Sequence, residues 1–96
     1  MIQKLNYNQL FYFYLTVKEG SMRNAAKVLN QPEESVAYAV KTLQKDIGFL
    51  LVERKNRAAK PTLRGADIYL YCKDLFAMSD SITAKINKYS QENRHE

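Results

Sequence analysis

Apolar positions along the chain recur at helical intervals, and the rhythm breaks once. Leu10, Phe13, Tyr14 and Val17 follow steps of three and four, which predicts a first helix. Asn6 is placed to cap it, with Gln9 three residues on to reach back in an N-x-x-Q box, and Gly20 is placed to stop it. Ser21 then starts a second helix of about two turns. Its buried stripe is Met22, Ala25, Ala26 and Leu29, and the paired alanines let another helix approach closely. Asn30, Gln31 and Pro32 make the next turn. Pro32 suits the first turn of a third helix, where its missing N–H costs nothing. Along that helix Val36, Val40, Leu43 and Ile47 step by four, three and four, and Gly48 ends it.

Beyond Gly48 the rhythm changes. Leu50, Leu51 and Val52 suit a short strand, residues 55–59 are polar and basic, and Lys60 and Pro61 close a second strand before Thr62 caps a new helix. No Gly or Pro follows Gly65, so one long helix is predicted to reach about Tyr89. Within it Ile68, Cys72, Leu75, Ser79, Ile82, Ile86 and Tyr89 alternate steps of four and three. They form a heptad-like seam in which only Ser79 is polar. Two ways of burying the seam are open, against this chain's own core or against a partner helix, most simply from a second copy. The preceding helices are too short to cover all of it, which favours a homodimer through this helix.

Ninety-six residues make one domain with a modest core. It divides into a helix–hairpin unit over 1–61, a linker helix over 62–90 and a frayed polar tail over 91–96. The longest apolar run, residues 10–17, is too short to span a bilayer, and no basic-then-apolar signal opens the chain. Cys72 is the single cysteine, so no internal disulfide forms and a cytoplasmic location is expected. Cys72 itself reads as a buried seam residue rather than a redox sensor.

Charge adds a partner. The net charge is +5 and the sequence pI about 9.4, and Arg54, Lys55, Arg57, Lys60 and Arg64 follow one another with no acidic residue between them. Such a cluster either stays a solvated loop or neutralises the phosphates of a duplex. Enzymatic chemistry finds no support. The chain has no nucleophile–His pairing and no phosphate-cradling Gly loop, and its one histidine, His95, has no companions for a metal site. No cofactor or metal is expected.

Two short helices joined by a tight turn and followed by a basic hairpin make a device for reading double-stranded DNA. The third helix enters a major groove, the second braces it, and the hairpin reaches the flanking phosphates. The expected fold is therefore mainly α, a winged helix-turn-helix followed by a long linker helix. Ser21, Arg23, Asn24, Ser35, Tyr38 and Lys41 are expected at the groove, and Arg54, Lys55, Arg57 and Lys60 on the phosphates. Apart from Tyr38, the tyrosines Tyr7, Tyr12, Tyr14, Tyr69, Tyr71 and Tyr89 are expected on core rims or interfaces.

The motifs also resemble a family. Leu10 and Phe13, Glu19-Gly20-Ser21, Ala25-Ala26 and Leu29 follow the order and spacing that open LysR-type transcriptional regulators. Val36, Val40, Leu43, Ile47-Gly48, Leu51-Val52-Glu53-Arg54 and Thr62-Leu63-Arg64-Gly65 continue the match without a gap, so that it covers roughly residues 6–89. Within that family Asn6-Tyr7-Asn8, Tyr12-Phe13 and Lys18-Glu19-Gly20-Ser21 resemble the branch that regulates sodium/proton antiporter genes. The resemblance implies a dimer through antiparallel linker helices, transcriptional control involving RNA polymerase, and the absence here of the usual C-terminal effector-sensing domain. On that footing the chain is either a fragment of a longer regulator or a short natural protein.

One stretch departs from the family pattern. Where the recognition helix usually begins S-Q-P, the gap-free register puts Pro32, Glu33 and Glu34. A shifted register pairing Asn30-Gln31-Pro32 with S-Q-P would delete the turn after Leu29 and break the match at Val36. Two carboxylates stabilise a helix start through its dipole, yet phosphates repel them, and one glutamate can accept from cytosine N4. Glu33 and Glu34 are thus either helix-start residues angled to solvent or groove residues that weaken or retarget DNA binding. The second possibility gives a competing function, a protein-interaction module with blunted DNA binding that pairs through its linker helix.

Overall fold

In a computed structural model, which describes residues 4–93, all four predicted helices form, the first two at the ends their signals mark. The first, α1 (Tyr7–Glu19), starts at Asn6, whose Oδ1 accepts from the Gln9 N–H at 3.0 Å, and ends at Gly20 with φ +85°. The reciprocal half of the expected box is not made. Gln9 keeps its Oε1 buried without a partner instead of reaching back to Asn6. Ser21 caps α2 (Met22–Leu29) by accepting from the Asn24 N–H, and Asn30 ends it in the left-handed region at φ +54°. Because Asn30 closes α2 in this way, it cannot cap the next helix, so the gap-free register is the one realised. The third helix, α3 (Glu33–Ile47), begins one residue later than expected. Pro32 is its extended N-cap rather than its first helical residue, and no side chain caps it.

Helix α1 lies at the centre of the molecule, packed on α2, α3 and α4. It is consequently buried on more than one stripe. Leu15 and Thr16 join Leu10 and Phe13 inside, while Tyr14 and Val17 are only partly covered. Thr16 is tolerated there because its hydroxyl donates to the Tyr12 carbonyl oxygen at 2.8 Å. Met22, Ala25 and Ala26 from α2 and Val36, Val40 and Leu43 from α3 complete the core as the periodicity predicts, with Leu29 and Ile47 at its rim.

The hairpin begins later than the apolar pattern suggests. Strands β1 (Val52–Lys55) and β2 (Ala58–Pro61) pair antiparallel, Val52 opposite Pro61 and Lys55 opposite Ala58. Leu50 and Leu51 stay outside the ladder. Leu51 is fully buried in the core, and its backbone is claimed by other partners. Gln44 Oε1 accepts from the N–H groups of both Leu51 and Val52, at 2.8 and 3.1 Å, and the Leu51 carbonyl accepts from the Thr62 N–H at 3.0 Å. A Gln44→Leu change keeps the volume and removes the shared acceptor. It should destabilise the fold by about 2–4 kcal/mol, read as a lower urea midpoint at unchanged slope.

The last helix, α4 (Leu63–Asn93), is capped by Thr62, whose hydroxyl donates to the Leu50 carbonyl and accepts from the Gly65 N–H. It continues three residues past the expected end, so 91–93 are helical rather than frayed. Residues 94–96, with His95, lie outside the described residues. At 31 residues α4 accounts for most of the molecule's 54 Å length.

The predicted seam on α4 divides. Ile68 and Cys72 turn to the chain's own core, and Ser79, half-buried at its edge, shares a hydrogen bond with the exposed Tyr7 hydroxyl at 2.9 Å. Burial pushes the Cys72 thiol up to about 11, so at neutral pH it is a protonated apolar filler. Leu75, Ile82, Ile86 and Tyr89 are exposed. The cause is geometric: a seven-residue repeat drifts by about 20° per heptad on a straight helix. Moreover α1 begins at Tyr7 and offers nothing beyond Ser79. The true core stripe of α4 is Gly65, Tyr69, Cys72 and Phe76, and Phe76 anchors it through ring contacts with Tyr7, Phe11 and Tyr14.

Candidate nucleic-acid interface

Two elements that the core fixes rigidly bound one exposed polar surface. Helix α3 buries Val36, Val40 and Leu43, and at 100° per residue the opposite side carries Glu34, Tyr38 and Lys41, all exposed. Tyr38 is 72% exposed. Lys45 lies one turn beyond Lys41 on the same side, a cation that the motif comparison did not single out. Ser35 sits apart from this stripe, half-covered near the helix start.

Helix α2 contributes Arg23, which is exposed. Ser21 and Asn24 are nearby but already engaged. The Ser21 hydroxyl caps α2, and the Asn24 amide donates to the Glu19 carbonyl at 3.3 Å. Their established work is to fold the turn between α1 and α2. That turn in turn anchors the hairpin, because the Ala59 N–H donates to the Gly20 carbonyl at 2.9 Å.

The hairpin cations do not share one face. Side chains alternate along a strand, so Arg54 lies with Val52 and Ala59 on the side turned toward α3, whereas Lys55 and Lys60 lie on the other. Lys60 stands directly opposite Glu53. Arg57 occupies the tip, in a two-residue turn where Asn56 and Arg57 both have positive φ, +51° and +71°. That is the hairpin turn whose twist suits the strands, and it usually takes Gly second. Arg64, the last cation of the basic run, is drawn away at the start of α4, its guanidinium 5.3 Å from the centre of the Phe49 ring.

Both glutamates at the start of α3 are exposed. Glu33 is not simply angled to solvent, since it forms an ion pair with Arg54. Away from this surface, Tyr71, Leu75, Met78, Ile82, Ile86 and Tyr89 make an exposed apolar stripe on α4. It continues into an apolar groove of about 430 Å³ lined by Leu5, Ile47, Phe49, Ile68, Tyr71 and Leu75. The stripe was legible in the steps of four, three and four from Tyr71 through Leu75 and Met78 to Ile82, which the seam through Ser79 obscured. Among the described residues no helix is long and apolar enough to cross a membrane.

Comparison with known proteins agrees with this geometry. The model of the bacterial regulatory helix-turn-helix proteins of the lysR family matches residues 7–66, from the start of α1 into the first turn of α4. The transcriptional activator protein NhaR of Escherichia coli is 29% identical over 89 residues, which cover 93% of this chain and 30% of that protein. The chain thus spans between about a quarter and a third of the length of the curated relatives it matches. Among solved structures, the BenM DBD in complex with catB site 1 DNA superposes with a TM-score of 0.79 at 26% identity, covering 88% of this chain and 93% of that one. Full-length LysG of Corynebacterium glutamicum gives 0.78 at 25% identity, covering 88% and 29%. With more than half its length matched by the family model, the chain belongs to the lysR family of bacterial regulatory helix-turn-helix proteins and not to an enzyme family.

Proposed function

We propose that the chain binds double-stranded DNA sequence-specifically as a homodimer and regulates transcription in the cytoplasm. The observation that carries this reading is the exposed α3 stripe of Tyr38 and Lys41 beside a basic hairpin rooted on the core. Arg23, Tyr38 and Lys41 face the major groove, with Ser21, Asn24, Ser35, Glu33 and Glu34 at its edge. Arg57, Lys55, Lys60 and Arg54 lie toward the phosphates. The likeness to a structure solved with DNA supports the same docking and disfavours a protein-interaction module as the main role. The exposed stripe on α4 supports dimerisation through the linker helix, including Leu75, Ile82, Ile86 and Tyr89. A dimer seated in this way acts on transcription by recruiting or excluding RNA polymerase.

Arg57 provides the test, because its two properties separate. Its left-handed backbone is strained by about 1 kcal/mol for any residue with a Cβ. Arg57→Gly should therefore raise the unfolding free energy by about 1 kcal/mol, whereas Arg57→Ala should leave it nearly unchanged. Both should weaken binding to every duplex and flatten the salt dependence by about one phosphate contact in a gel-shift series. Binding indifferent to salt and to both changes would remove the wing from the interface.

A further inference from the structure

Glu33 and Arg54 come from different elements and meet across the proposed interface. Glu33 opens α3, and Arg54 lies within β1 on the side facing that helix. Their side chains form an ion pair, Arg54 Nη2 to Glu33 Oε1 3.7 Å, the only one among the described residues. With the two side chains 48% and 46% exposed, water screens the pair, and its contribution to folding is small. Its larger consequence falls on a polyanion approaching the same surface. While Glu33 holds it, Arg54 offers a phosphate a charge already partly offset by the carboxylate, and its full charge only when the pair opens. A phosphate near the start of α3 meets the Glu33 carboxylate, with Glu34 beside it, where a helix N-terminus would otherwise attract an anion.

We propose that Glu33 is a specificity-determining residue whose carboxylate competes with the DNA backbone for Arg54. The proposal rests on the DNA-binding function above. Non-specific attachment is carried by phosphate neutralisation, so a withheld cation weakens the hold on every duplex alike. At a matching sequence, base-edge contacts add free energy that other sequences lack, enough to displace Glu33 and bring Arg54 onto the backbone. Overall affinity falls and discrimination rises. The pair thus turns one of the two acidic residues, Glu33, into part of how the surface chooses its partner.

The experiment measures fluorescence anisotropy of a labelled random-sequence duplex of about 30 base pairs between about 50 and 200 mM salt. The proteins are the unaltered chain, Glu33→Gln, Arg54→Gln and the double variant, each checked for unchanged helicity and thermal midpoint. Glu33→Gln is expected to bind about tenfold tighter at the lowest salt, with a log–log salt slope steeper by about 0.9. In the Arg54→Gln background that gain should shrink to the direct repulsion of one carboxylate, about the size of the gain in Glu34→Gln, which should show no dependence on Arg54. A gain undiminished without Arg54, or no gain at all while the unaltered chain binds, overturns the proposal and leaves DNA binding standing. Failure of all the proteins to bind at the lowest salt overturns the DNA-binding function and the proposal together.

Discussion

Replacing Gly65 by Ala is expected to destabilise the chain by more than about 3 kcal/mol, lowering the thermal midpoint by roughly 12 °C or more. Gly65 lies in the first turn of α4, where the helix rests directly on the backbone of Leu51. A Cβ there would overlap the Leu51 carbonyl oxygen and come within 2.8 Å of its carbonyl carbon. No rotamer change relieves that contact, because the obstructing atoms are main chain. They are also held on every side. Gln44 fixes the Leu51 N–H, Thr62 holds the Leu51 carbonyl through its own N–H and the Leu50 carbonyl through its hydroxyl, and the Leu51 side chain is fully buried.

Gly48→Ala is the natural control. That glycine has φ +87° but open space around it, so its replacement strains only the backbone, by about 1–2 kcal/mol. Thermal unfolding of the two variants side by side separates close approach from backbone conformation. Equal losses would mean that α4 can lift from Leu51 without consequence.

These two glycines also mark what the sequence could and could not convey. Gly48 follows a helical stripe, and its role as a stop is legible from position alone. Gly65 appears within a helix, with no local signal of the carbonyl that approaches it. The same division runs through the molecule. Stripes such as Met22, Ala25 and Ala26, or Val36, Val40 and Leu43, are local patterns, and they pack as periodicity requires. Contacts made over distance are silent in the pattern. Gln44 reads as a polar surface residue of a helix, yet its amide oxygen organises the start of β1. Phe76 lies outside the chosen seam, yet it closes the aromatic cluster because α1 happens to end its reach there.

The proposed interface shows a similar mixture. Tyr38 and Lys41 could be assigned to the outer side of α3 by counting from Val36 and Val40. Strand pairing was needed to see that Arg54 parts from Lys55 and Lys60, since a one-residue difference in register exchanges the two faces. The cation cluster read as one patch is four placements: Arg54 against α3, Arg57 at a strained tip, Lys55 and Lys60 on the far side of the hairpin, and Arg64 drawn to the Phe49 ring.

The largest expected effect on assembly comes from Ile82→Lys. Ile82 lies on the exposed stripe of α4 and touches none of the core, so the substitution should leave the unfolding free energy of a single chain almost unchanged. In a two-fold dimer paired through α4 each substitution occurs twice. Losing the burial of both isoleucines removes about 3–6 kcal/mol, a weakening of the dimer by about a hundred- to ten-thousandfold before the lysine charges are considered. Sedimentation should show a monomer at concentrations where the unaltered chain is dimeric. DNA binding should fall with it, because two half-sites are then no longer held by one particle. A fully dimeric Ile82→Lys protein would move the interface off this stripe. Phe76→Ala should behave in the opposite sense, because its ring is buried within the chain: it lowers the midpoint of unfolding by the cost of an aromatic cavity, about 3–5 kcal/mol, before any question of association arises. The contrast between two positions six residues apart on one helix separates the part of α4 that folds the domain from the part proposed to pair it.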